Sequence, residues 1–177
     1  MNILITGGCG YVGTVLTNFL IQNGHNITVI DNQWFGNYLK KHSRLKVIKK
    51  DIREIKHLNY GKIDALIHLA NIANDPGVEL NPSLSWDVNV LSSHELIKLA
   101  IKKNIKQFIY ASSGSVYGIK KEKKVTETLD LLPISTYNKT KMIAEKVLMS
   151  FANDIKVHCI RPATVCGWSP RMRLDVN

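Results

Sequence analysis

Cysteines, acidic residues and long apolar runs are all scarce in this 177-residue chain, and each shortage removes a class of protein. The three cysteines, Cys9, Cys159 and Cys166, are odd in number and form no Cys-x-x-Cys pair, which argues against a disulfide framework and against a zinc site. The six histidines show no metal-ligand spacing, so no metal is expected. No basic leader precedes the first apolar stretch, and no apolar run approaches the ~20 residues that cross a bilayer, so the expectation is a soluble, cytoplasmic protein away from membranes. With 14 Asp and Glu against 24 Lys and Arg, the net charge is +10. Such a balance suits nucleic acid, an acidic membrane surface or a small anion such as a pyrophosphate. The densest basic run, Lys120-Lys121-Glu122-Lys123-Lys124, is broken by an acid and lacks interleaved aromatics to stack on bases. It reads as a solvated loop, and nucleic acid is not an expected partner.

What the chain does have is one core's worth of apolar residues, 45% of its length, which fits a single domain over residues 1–177. Short β-branched runs alternate with amphipathic stretches, as in a parallel sheet with crossover helices. The strand candidates are Ile3–Thr6, Ile27–Asp31, Leu45–Ile48, Ala65–Leu69, Gln107–Ala111 and Lys156–Arg161, each apolar enough to be buried on both faces. Between the first two, Val12, Leu16, Phe19 and Leu20 recur at helical spacing, with Asn23-Gly24 as the stop. A longer helix is expected over Pro82 to Asn104, and another from Ser135 with Ala144, Val147, Leu148 and Phe151 on one face. The fold class that follows is α/β, a Rossmann-type doubly wound parallel sheet with helices on both faces.

Directly after the first strand, Gly7, Gly10 and Gly13 stand in a G-x-x-G-x-x-G spacing. The first permits a tight turn, the second lets backbone amides approach a pyrophosphate, and the third lets the helix lie close on the sheet. Asp31 ends the second strand about twenty residues on, where its carboxylate can accept hydrogen bonds from an adenosine ribose. A carboxylate there repels the 2′-phosphate of NADP and no arginine adjoins it, so NAD is the expected cofactor. Cys9 in this loop reads as a small space-filling residue rather than a redox thiol.

Tyr137 and Lys141 stand four residues apart, on one face of a helix that starts near Ser135. A phenol with a pKa near 10 is a poor base at neutral pH. A cation some 4 Å away is worth about 4 kcal/mol at an effective dielectric of about 20, roughly three pKa units. A serine-rich strand end, Ala111-Ser112-Ser113-Gly114-Ser115, precedes this pair and delivers hydroxyls to the crevice where such folds bind ligands.

Taken in order, the glycine spacing, Asp31, Asp51-Ile52, His68-Leu69-Ala70, Asp87-Val88-Asn89, Ser112-Ser113 through Val116-Tyr117-Gly118, Tyr137 to Lys141 and Arg161-Pro162 resemble the extended short-chain dehydrogenase/reductase family, the NAD-dependent epimerases and dehydratases, over essentially the whole chain. The resemblance implies a Ser113, Tyr137 and Lys141 catalytic set. It also implies that Tyr11, Val12, Asn32, Asn71, Ala111, Ser112, Arg161 and Pro162 join the glycine loop around NAD. Asp51 and Ile52 would hold the adenine, Leu69 and Ala70 would lie along the phosphates, and Asn89 would support the cofactor site.

In the family's dehydratases and decarboxylases a glutamate usually stands two before the Tyr-Gly pair or its equivalent, and an acid before it. Here those positions are Ser115 and Gly114, which leaves elimination chemistry without an acid or base. The resemblance therefore implies a nucleotide-sugar epimerase or 4-keto reductase, with a non-catalytic NAD-binding module or half of a split enzyme as the alternative. It further implies a homodimer through the two long helices. Residues from about 162 onward look like the start of a truncated substrate-binding region.

Overall fold

The six β-branched runs become the strands of one parallel sheet in the computed structural model, which describes residues 1–57 and 60–172. They are β1 (Asn2–Thr6), β2 (Asn26–Asp31), β3 (Leu45–Lys49), β4 (Ala65–His68), β5 (Gln107–Ala111) and β6 (Lys156–Ile160), each within a residue of its expected bounds. Their order in the sheet is β3-β2-β1-β4-β5-β6, that of a dinucleotide-binding Rossmann fold. The winding reverses between β1 and β4, which pair in register from Ile3 with Ala65 to Thr6 with His68. Burial on both faces holds for the central β1, β2 and β4, whereas the edge strands β3 and β6 are only partly covered.

Strand alternation divides the core. Ile3, Ile5, Ile27, Val29 and Ile67 face one side, where Leu16 and Leu20 of helix α1 (Tyr11–Gln22) cover them. Leu4, Ile30, Leu66 and Phe108 face the other side, under Leu96, Ile97, Ala144 and Leu148. Two members of the expected α1 stripe depart from it, since Val12 is 43% and Phe19 57% exposed. The small residues Gly13, Thr14 and Thr17 are the ones fully buried in the first turns of α1, with Leu16, Leu20 and Ile21 beside them, and Val12, Val15 and Phe19 fall on the outward face.

The segment expected as one helix from Pro82 to Asn104 is interrupted. A short helix α2 (Asp75–Leu80), which periodicity did not reveal, comes first, then α3 (Pro82–Trp86), a π-helical turn over Asp87–Leu91, and α4 (Ser92–Lys102). The wider turn buries three consecutive side chains, Val88, Asn89 and Val90, which a regular helix does not do. Helix α5 (Thr136–Met149) starts as expected, with the Ser135 hydroxyl accepting from the Asn138 amide at 3.2 Å, and ends before Phe151. The segment after β6 folds back on the start of α1, where the Tyr11 hydroxyl donates to the Gly167 carbonyl and the Ser169 hydroxyl to the Tyr11 carbonyl. Residues 173–177 of the anticipated substrate region lie outside the described residues.

Two glycines of the first loop have no room for a side chain. Gly7 has φ +75°, and a Cβ there would come within 2.5 Å of the Ala70 amide nitrogen; one on Gly13 would come within 2.3 Å of the Gly7 carbonyl oxygen. Gly10 differs, because a Cβ there would meet only the Gly7 carbonyl oxygen, at 3.3 Å. Gly13→Ala should therefore cost about 1–3 kcal/mol of stability, at least about 1 kcal/mol more than Gly10→Ala. Urea unfolding of the two variants checks this, and equal losses would contradict the packing argument.

Candidate functional site

Ligands of doubly wound sheets bind beyond the carboxyl ends of the strands at the point where the winding reverses. Here that point lies between Gly7, after β1, and Leu69-Ala70, after β4, and the contact of Gly7 with Ala70 backbone forms its floor. The first-turn amides of α1 have no intrahelical partners, as in any helix, and neither a side-chain cap nor an acidic residue serves them. Asp31 is fixed at the rim, with its carboxylate accepting from the amides of Cys9 at 3.0 Å and Gln33 at 2.7 Å. Two buried polar atoms near this end of the sheet, Asn71 Oδ1 and Ser112 Oγ, lack a hydrogen-bond partner among the described residues. Uncapped amides, a fixed carboxylate and orphaned buried oxygens fit a polar dinucleotide such as NAD. Cys9 is 2% exposed, and burial first and Asp31 second push its thiol up to about 12, which agrees with a space-filling role.

Behind the crevice runs a chain of buried hydrogen bonds. The Asn89 amide accepts from the Ile72 nitrogen at 2.8 Å and donates to the Ile72 carbonyl at 3.2 Å and to the Thr140 hydroxyl at 3.1 Å. Thr140 in turn donates to the Tyr137 carbonyl at 2.7 Å. Ser93 gives its one proton to the Asn89 carbonyl, so its oxygen accepts from His68 Nε2 at 3.0 Å, and His68 Nδ1 accepts from the Thr6 hydroxyl at 2.7 Å. Burial, with Lys141 a lesser cause, drives the His68 pKa down to about 3 and keeps the ring neutral. His68, Ser93 and Thr140 had no role in the sequence reading beyond a motif position for His68. Their burial is a tertiary property.

The catalytic candidates converge at the end of β5. Lys141, 3% exposed, donates to the Ala111 carbonyl at 2.7 Å, and its ammonium lies 4.8 Å from the Tyr110 ring centre and 5.9 Å from that of Tyr137. Burial pushes the Lys141 pKa down to about 7 against the opposing pull of Glu145. Its charge therefore titrates near neutrality. Ser113 follows β5 and shares a 2.7 Å hydrogen bond with Ser115, which donates to Asn138 Oδ1 at 2.5 Å.

Other expected cofactor residues have different engagements. Both Asp51 oxygens accept from the Arg53 side chain, at 3.0 and 2.8 Å, and this pairing holds the carboxyl below its ordinary range. The Ile52 side chain lies in the core, and the Asn32 side chain accepts from the Trp34 amide. Arg161 donates from Nε and Nη2 to Glu145 and from Nη1 to the Tyr117 hydroxyl, so its side chain clamps β6 to α5. The Pro162 carbonyl accepts from the Gly114 amide at 2.7 Å. Folding also brings Arg171 over the Phe35 ring at 4.3 Å, beside the loop after Asp31, which sequence distance concealed. Among the described residues no group of three or more His, Cys, Asp or Glu could hold a metal ion, and no helix is long and apolar enough to cross a membrane.

The family model described as "NAD dependent epimerase/dehydratase family" matches residues 3–175. The UDP-glucose 4-epimerase of Lactobacillus helveticus is 31% identical over 175 residues, an alignment covering 96% of this chain and 53% of that one. The solved structure of the UDP-N-acetylglucosamine 4-epimerase from Methanobrevibacter ruminantium M1, in complex with UDP-N-acetylmuramic acid, superposes with a TM-score of 0.83 at 30% identity, over 90% of this chain and 54% of that one. The UDP-glucose 4-epimerase of Thermotoga maritima, solved with UDP-glucose, gives a TM-score of 0.83 at 29% identity, over 91% and 55%. The chain thus spans about half the length of these relatives.

The depressed pKa of Lys141 has a thermodynamic signature. Between about 7 and the ordinary lysine value of 10.5 the unfolded chain holds this proton and the folded chain does not, so the group makes stability rise with pH across that window. Relative to Lys141→Met, the protein should gain up to about 1.4 kcal/mol per pH unit there. Parallel pH profiles of the two proteins in urea unfolding would show that Lys141 keeps an ordinary pKa.

Proposed function

The chain belongs to the NAD dependent epimerase/dehydratase family, and from that premise we propose that it is the NAD-binding, acid–base part of a nucleotide-sugar 4-epimerase, with residues from about 162 onward leading into the substrate-binding region. The observation that carries this reading is the buried Lys141 ammonium, bonded to the Ala111 carbonyl at the end of β5 and 5.9 Å from the Tyr137 ring centre, with Ser113 two residues beyond Ala111 and Gly114 and Ser115 in place of any carboxylate. Gly7, Gly10, Tyr11, Val12 and Gly13 cradle the pyrophosphate, Asp31 takes the adenosine ribose, and Leu69, Ala70, Asn71, Ala111 and Ser112 line the remainder of the NAD crevice. Asp51, Ile52, Asn32 and Arg161 keep their assignment to the cofactor site only through backbone groups or as supports, because their side chains are engaged as described above, and Pro162 keeps its own beside the Gly114 amide that its carbonyl receives.

Bound NAD supplies the hydride acceptor and, once reduced, the donor. The protein's part is orientation and proton transfer. Ser113 holds the sugar hydroxyl on the carbon to be inverted, and Tyr137 takes its proton as hydride leaves that carbon. Lys141, at one helical turn from Tyr137, favours the phenolate and is itself fixed by the Ala111 carbonyl. Rotation of the resulting ketone in the pocket presents its other face, and Tyr137 returns the proton. The absence of an acid at positions 114 and 115 favours this sequence over elimination.

The proposal sets cofactor preference and catalysis apart. NAD should bind more tightly than NADP, and Asp31→Ala should narrow the difference; calorimetry giving tighter NADP binding would remove the assignment of Asp31. Tyr137→Phe should slow interconversion of UDP-hexose epimers by about 10²–10⁴-fold while leaving NAD affinity nearly unchanged. Chromatography of the products checks this, and NAD binding by a wild-type protein that converts no sugar nucleotide would leave an NAD-binding module instead.

A second copy of the chain is the proposed protein partner. Helices α4 and α5 pack side by side, and Leu91, the residue before α4, and Met149 at the end of α5 are 58% and 48% exposed. A two-fold pairing of these helices would cover such residues. Sedimentation equilibrium at micromolar concentration should give a dimer, and a monomer there would exclude this arrangement.

A further inference from the structure

After β6 the chain stays at the carboxyl end of the sheet, and three ties hold it there. The Pro162 carbonyl accepts from the Gly114 amide at 2.7 Å, in the turn that follows β5. The Tyr11 hydroxyl donates to the Gly167 carbonyl, and the Ser169 hydroxyl, 1% exposed, donates to the Tyr11 carbonyl at 2.8 Å, both at the start of α1. Arg171 then stands over Phe35, in the loop after β2, with its guanidinium carbon 4.3 Å from the ring centre. In the sheet order β3-β2-β1-β4-β5-β6 these ties follow β5, β1 and β2, so the segment steps from one edge toward the other. Its longest step runs from the β5 tie to the β1 tie and passes the end of β4. That is the point between Gly7 and Leu69-Ala70 where the winding reverses and a dinucleotide binds. Two strand spacings are about 10 Å, and the five residues from Pro162 to Gly167 can reach about 17 Å, so the crossing has slack. The residues that make it, Ala163 to Cys166, are all exposed.

The far end is shaped to present Arg171. Ser169 gives its proton to Tyr11 and accepts from the Arg171 amide at 3.3 Å, the Ser169 amide donates to the Met172 sulfur at 3.3 Å, and Arg171 Nη1 donates to the Met172 carbonyl at 3.2 Å. Phe35 is 66% exposed, so its ring serves no core, and an open aromatic face is a seat for a guanidinium. We propose that residues 162–171 form a strap across the bound dinucleotide and that Arg171, buckled on Phe35, holds it shut. Both are positioning residues, which act on the cofactor through the strap. The proposal rests on the assignment of NAD to this crevice and does not require turnover of a sugar.

A closure that must open for passage in either direction slows entry and exit alike, whereas a lost direct contact speeds exit alone. Stopped-flow fluorescence of NADH, with excess NAD as the chase, gives both rates for each variant. Arg171→Ala and Phe35→Leu should each raise the association and dissociation rates together, about two- to fivefold, the effect of one exposed cation–π contact. The dissociation constant should stay within about twofold. Phe35→Tyr keeps the ring and should keep the wild-type rates, and the double variant Arg171→Ala, Phe35→Leu should match either single one, since both break the same contact. Faster dissociation with unchanged association would make Arg171 a direct contact of the cofactor, and unchanged rates would mean that the stacking holds nothing. Either result overturns the strap and leaves the NAD assignment standing. A wild-type chain that binds no NADH removes that assignment, and the strap with it.

Discussion

An amide removed from water with its hydrogen bonds unmade costs on the order of 1–3 kcal/mol per group, so the surroundings of Asn89, 1% exposed, are tightly constrained. Its side chain grips both backbone groups of Ile72 and the hydroxyl of Thr140, and its carbonyl receives the proton of Ser93. Through Ile72 it holds the loop after β4, which walls the cofactor crevice. Through Thr140 it reaches the Tyr137 carbonyl, and through Ser93 and His68 it reaches Thr6, next to the glycine loop. The glycine loop and the start of α5, which carries Tyr137, are thereby held in one relation to each other. The π-helical turn makes this possible, because it is the device that turns Asn89 inward between two other buried residues.

A second constraint is the burial of charge. Lys141, Glu145 and Arg161 belong to one polar array at the foot of α5, and both Lys141 and Glu145 are 3% exposed. Arg161 neutralises Glu145 through Nε and Nη2 and also bonds the Tyr117 hydroxyl, while the Ala111 carbonyl and the Tyr110 ring face the lysine. Partners of this kind make buried ions tolerable, though burial still pulls the Lys141 pKa to about 7. The same contacts pin α5 to the ends of β5 and β6, so the electrostatics and the geometry of the site have a single origin.

The sheet was legible because strands covered on both faces must be apolar throughout, and no other element of this length reads that way so often along one chain. The glycine loop was legible for a different reason: a close approach of backbones admits only glycine, and Gly7 and Gly13 do stand within reach of the Ala70 and Gly7 backbones. Less legible were features that depend on what lies opposite. The α1 stripe misled at Val12 and Phe19 because periodicity reports a face, not which face the sheet touches. Lys141 and Glu145 stand at the spacing of an ordinary surface pair, and burial alone distinguishes them from one. The short helix α2 carries a glycine and too few residues for a period to show.

By itself the amino-acid sequence determined the α/β class, the dinucleotide loop with its acid at Asp31, and the placing of tyrosine and lysine on one helical turn, since each follows from local rules of backbone space and helical spacing. Tertiary structure alone decided that Asn138 meets Ser115, that Arg161 serves Glu145, and that Asn89 joins the crevice to the helix of Tyr137. These contacts join residues between 16 and 51 positions apart. The partner of a polar group is fixed by which strand ends and helices the crossover topology brings together, and no local pattern records that.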